Sequence, residues 1–123
     1  RGLYRQISAR AEAEDFMYPV DRSVYPEYYE VIKSPMDLST WSKGIPRYTF
    51  LFEALSSLRL IWANCLMFNQ ASSDIAVRAV KLGQFAEKII EVSTNGVCSV
   101  LGHECCYIYS CCTCMHKHSI NVE

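Results

Sequence analysis

The stretch TFLFEALSSLRLIWANCLMFNQ, residues 49–70, decides what kind of fold this chain can adopt. Leu51, Leu55, Leu58, Trp62 and Cys65 recur at steps of 4, 3, 4 and 3, the spacing of one face of an α-helix. This predicts a helix from Thr49 to Phe68 whose apolar stripe packs against other helices. The end of that helix is unusual. Asn64 and Asn69 flank Leu66, Met67 and Phe68, although asparagine is a poor helix-interior residue because its side chain competes for backbone hydrogen bonds. On its own position, Asn69 reads as a C-cap.

Working outward, NQASSD at residues 69–74 is a polar break, with Ser72, Ser73 and Asp74 as cap-like residues. A further helix is expected from about Asp74 to Val92, with Ala79, Leu82, Ala86 and Ile89 as its stripe, ended by STNG at residues 93–96. Upstream, SPMDLSTWSKGI starts a short helix, with Ser34 as N-cap, Pro35 at the first helical position and Asp37 in the first turn; Gly44 and Pro46 stop it. Near the start, LYRQISARAEAEDF has good helix formers and no Gly or Pro, which predicts a helix over residues 2–14. Between the first two helices lies a long segment with Pro19, Pro26 and Pro35, rich in Tyr, Val and Ile. Proline fixes its own φ and pushes the preceding residue away from helix. A long loop that is also apolar is expected to pack and form a wall. The fold class is therefore all-α: a four-helix bundle with a long loop between the first and second helices.

The chain has 123 residues, half of them apolar, and a net charge of −1. That suits one domain with a sizeable core. It argues against direct gripping of nucleic acid, which needs clustered Lys and Arg. There is no run of about 18 uninterrupted apolar residues, so no membrane span is expected. Of seven cysteines, only Cys65 lies before residue 98. A disulfide framework that leaves most of the chain unstapled is implausible, which points to a reducing compartment.

The segments FMYPVDRSVYPEYYEVIKSPMDLST (residues 16–40) and NCLMFN (residues 64–69), in that order, resemble a bromodomain, the module that binds acetylated lysine. The resemblance covers roughly residues 3–92, with a domain boundary drawn at 94/95. It implies a left-handed four-helix bundle, with the pocket at one end between the long loop and the short loop before the last helix. It further implies that Asn69 donates to the acetyl carbonyl and that Tyr28 reaches the same carbonyl through a water. Pro19 and Val20 line the methyl end, Phe16 is the aromatic shelf, Phe68 is a wall, Ile75 is the gatekeeper and Tyr25 lines the channel. The implied partner is an acetylated histone or another acetyl-lysine peptide, read in the nucleus by a monomeric domain of a larger protein, with no cofactor, no metal and no catalysis. Two places depart from the pattern: the four residues between Asp21 and Pro26, and the compressed TWSKGIPRY around the second helix.

The chemistry agrees with these roles. Acetylation removes the lysine charge and leaves a neutral amide. Its recognition needs an apolar slot and one or two placed donors. An asparagine NH₂ is a neutral donor, so it does not favour a charged ligand, and an unmodified ammonium would be stranded in an apolar slot. Asp21, Glu27, Glu30 and Asp74 add a mildly acidic surround that suits a basic peptide. Asn64, Tyr29, Trp41 and Trp62 are assigned to structure, and Met36 to either the pocket floor or the core. Two other readings compete. One is a cysteine enzyme, against which Cys65 sits on a buried stripe with no histidine in sequence reach. The other is a helical scaffold with a degenerate pocket. The tail from residue 95 carries Cys111, Cys114, His116 and His118, residue types that bind zinc, but with ligand pairs too close together for a folded site.

Overall fold

A computed structural model describes residues 2–101, with side chains as far as residue 93. All regular structure among these residues is helical: α1 (Gly2–Ser8), α2 (Pro26–Val31), α3 (Leu38–Gly44), α4 (Leu51–Phe68) and α5 (Asp74–Leu101), with 3₁₀ turns at Ala11–Phe16 and Ile45–Arg47. Helix α4 packs on α5, α5 on α1, α1 on α3 and α3 on α4, which closes a four-membered ring. The short α2 lies within the long loop. Ile7, Leu38, Leu58, Leu82 and Ile90 fill the core from the four ring helices.

The first helix is shorter than its composition predicts. It stops at Ser8, whose hydroxyl donates to the Arg5 carbonyl, and Arg10 turns to an extended conformation. The chain resumes as a 3₁₀ turn. Three residues per turn place Ala13 and Phe16 on one face, and both are buried. Tertiary packing of Phe16 overrides the helix propensity of the alanines here.

The start of α3 also differs from the expected Ser34–Pro35 cap. Asp37 is the N-cap: its carboxylate accepts from the Thr40 backbone N–H at 2.9 Å and from the hydroxyls of Ser39 and Thr40. Asp37 is buried, and three donors satisfy it. Ser34 instead offers its backbone carbonyl to the Asn64 side chain. Gly44 and Pro46 do end α3.

In α4 the buried residues are Leu55, Leu58, Ile61, Asn64 and Cys65. Leu51, at the start, is exposed, because the stripe drifts out of the ring at the helix end. By length and composition α4 is apolar enough to cross a membrane, although Glu53 and Arg59 interrupt its apolar run. Its buried residues instead face the bundle core. Arg59 and Glu87 tie α4 to α5 through two hydrogen bonds, at 2.7 and 3.0 Å. Gly83 of α5 permits a close approach, since a Cβ there would sit 3.0 Å from the Trp62 ring.

In α5 the core residues are Ala79, Leu82, Ala86 and Ile90; Ile90 takes the place expected for Ile89. Steps of 3, 4 and 4 follow the 3.6-residue period more closely. The helix runs through the STNG segment to Leu101, so asparagine and glycine, each only a modest penalty in a helix interior, do not end it. The cysteines and histidines from residue 102 onward lie outside the described residues, and so does the question of a tail metal site.

Candidate functional site

One end of the ring holds a cavity of about 240 Å³, bounded by the long loop, the C-terminal half of α4 and the first turn of α5. Six of the eight residues expected at a ligand site line it: Phe16, Pro19, Val20, Tyr28, Asn69 and Ile75. The loop reaches this place because three polar contacts pin it. The Asn64 side chain, 5% exposed, donates to the Ser34 carbonyl at 2.8 Å. The Tyr29 hydroxyl donates to the Val20 carbonyl, while Arg22 covers the Tyr29 ring at 4.0 Å. The Ser39 N–H donates to the Met17 carbonyl at 3.0 Å. Tyr29 and Met36 also line the cavity, and the Trp41 indole N–H donates to the Ala54 carbonyl in the core.

Asn69 is the residue just past α4. Its backbone N–H and its side-chain Nδ2 both donate to the Cys65 carbonyl, at 2.9 and 3.0 Å. It is therefore a C-cap and a cavity residue at once. The same Nδ2 lies 3.6 Å from Cys65 Sγ. A thiol sulfur is a weak acceptor, so a carbonyl oxygen would compete well for an amide hydrogen there.

Two expected residues are not walls of the cavity. Phe68 packs on Tyr28 edge to face, with ring centroids 4.9 Å apart, and is not among the lining residues. Tyr25 is turned outward. The backbone N–H groups of Val24 and Tyr25 both bond the Asp21 carbonyl, and this tight turn leaves the two side chains 57% and 52% exposed. Conversely, Ile61, Asp15 and Tyr18 line the cavity without having been singled out, and Cys65, expected only on the buried stripe, lines it too. Ile61, Cys65 and Asn69 are spaced by four, so they share a helix face, a signal that was present in the sequence. Asp15 carried no such signal.

The cavity chemistry is neutral where it matters. Burial pushes the Tyr28 hydroxyl above its ordinary pKa, helped by Tyr29 and Cys65 nearby. Burial likewise raises the Cys65 thiol, against a lowering hydrogen bond from Asn69. Both stay protonated at neutral pH, which makes Tyr28 a hydrogen-bond donor and Cys65 a poor nucleophile. Among the described residues, no group of three or more His, Cys, Asp or Glu is placed to hold a metal.

A helical ring with an apolar end cavity and a few fixed donors defines a small-ligand binding module. The chain belongs to the bromodomain family, whose model matches residues 1–81. Bromodomains are acetyl-lysine reader modules and not catalysts. The chain is 35% identical to the Drosophila melanogaster transcription initiation factor TFIID subunit 1 over 96 residues, which is 76% of this chain and 4% of the fly protein. It is 36% identical to the histone acetyltransferase GCN5 of Yarrowia lipolytica, covering 71% of this chain and 19% of that protein. Its fold is similar to the bromodomain of human BAZ1A, with a TM-score of 0.66 and 22% identity, over 69% of this chain and 81% of that one. The chain thus spans a small part of the curated relatives it matches.

Proposed function

We propose that the end cavity binds the acetyl-lysine side chain of a histone tail or another acetylated protein, with Asn69 donating to the acetyl carbonyl. The observation that carries this reading is the convergence of Asn69, Tyr28 and an apolar set (Phe16, Pro19, Val20 and Ile75) on one cavity. The methyl and aliphatic stem fill the apolar side, and the Tyr28 hydroxyl approaches the carbonyl through a water. Unmodified lysine is disfavoured by the cost of desolvating its ammonium among apolar walls, where the two lining carboxylates are already engaged, Asp15 by Arg78 and Asp37 by Ser39 and Thr40. The relatives' names place them in transcription and histone acetylation, which supports a nuclear, chromatin-associated role within a larger protein.

Asn69→Ala tests the reading. The Cys65 carbonyl keeps the Asn69-position backbone N–H as its partner, so the bundle stays folded. Losing the hydrogen bond should weaken an acetylated histone peptide by about 5- to 150-fold in calorimetry. Parental affinity in that variant refutes the assignment.

A further inference from the structure

Asp15 lines the cavity from the loop side. Arg78 lies three residues beyond Ile75 on α5, on the same helix face as that cavity residue. Arg78 Nε donates to Asp15 Oδ2 at 2.7 Å, with the two side chains 40% and 38% exposed. The ion pair therefore links cavity-lining Asp15 to the last helix at a half-exposed position. Both partners keep unused capacity. Among the described residues, neither side chain makes another hydrogen bond, which leaves the Arg78 terminal NH₂ groups as donors and Asp15 Oδ1 as an acceptor.

Resting on the acetyl-lysine reading above, we propose that the Asp15–Arg78 pair anchors the main chain of the bound peptide next to the acetylated residue. A side chain that threads the cavity leaves its own backbone at the edge. There the pair offers a donor and an acceptor side by side, the complement of a peptide C=O and N–H. The local charge favours a neutral group over an anion, because Asp15 already balances Arg78 and Glu14 and Asp74 lie nearby in sequence. The pair thus contributes affinity for any acetylated peptide without selecting its neighbouring side chains. Planar Arg is suited to this, since one edge of the guanidinium holds Asp15 and the other remains open.

The test compares two ligands. N-butylacetamide carries the acetamide and stem of acetyl-lysine without any main chain; two acetylated peptides with different flanking residues carry the full backbone. Arg78→Ala, a half-exposed change, should weaken both peptides about tenfold and leave N-butylacetamide within twofold of the parent in NMR titrations. Unchanged peptide affinity overturns the anchor. So does an equal loss on all three ligands, which marks Arg78 as a tie that merely shapes the cavity, and so does a loss confined to one flanking sequence. If the parent protein shows no acetyl-dependent binding, the cavity reading falls and the anchor falls with it. If the parent does bind and Arg78→Ala matches it, only the anchor falls.

Discussion

The body of the bundle and its cavity end are held by different forces. Between α4 and α5, residues such as Leu58 and Leu82 are fully buried and the core contacts are apolar, with the Arg59–Glu87 ion pair beside them. At the cavity end, a chain of about twenty residues is fastened by single polar contacts, Asn64 to Ser34, Tyr29 to Val20 and Ser39 to Met17. Apolar burial is strong but tolerant of small shifts. Hydrogen bonds are individually weaker but fix position. Stability is therefore concentrated in the body, and the geometry of the site depends on the pins.

Three experiments address this division. The largest stability effect is expected in the body: Leu58→Ala should cost about 2–5 kcal/mol through lost burial and a residual cavity, read by denaturant unfolding. The molecules that remain folded should bind as the parent does, and a matching loss of affinity would show that the two regions are not separable. Next, Asn64→Ala leaves the Ser34 carbonyl without its donor, at a cost of about 1–3 kcal/mol. Here affinity should fall along with stability because the loop loses a pin; a purely thermal effect would break the comparison.

The smallest effect concerns pH. The folded pKa values of Tyr28 and Cys65 are raised by burial. Their protonated forms thus favour folding fully below the unfolded pKa values, and this contribution is lost as pH rises through the folded ones. The contribution of these two groups should decline on the alkaline side, from the ordinary cysteine range upward through the tyrosine range, with no such step between pH 6 and 8. Cys65 should alkylate slowly until the protein unfolds, and rapid labelling at neutral pH would contradict its burial.

The body was more legible in the sequence than the site end. A 3.6-residue period makes α4 and α5 visible without any knowledge of neighbours, and the errors there, Leu51 and Ile89, are shifts by one face or one residue. Helix ends were harder, because caps depend on which donors fold back. Asp37, not Ser34, caps α3 because three donors converge on its carboxylate, and the α5 backbone continues past a Gly that seemed a stop. The resemblance pointed to the end of the bundle where the cavity lies and named six of its lining residues. Local wording could not tell that a self-bonded turn would carry Tyr25 outward, or that Phe68 would pack on Tyr28 without lining the cavity. The Asp15–Arg78 pair, 63 residues apart, leaves no periodic trace at all.

The double donation from Asn69 to one carbonyl has a thermodynamic consequence. An asparagine amide in solution samples many torsions, and stopping it on a ligand costs entropy. Here the Cys65 carbonyl stops it during folding. A carbonyl that reaches this amide meets a donor whose rotor is already still, so the recognition step should be marked by a favourable enthalpy with little side-chain entropy set against it.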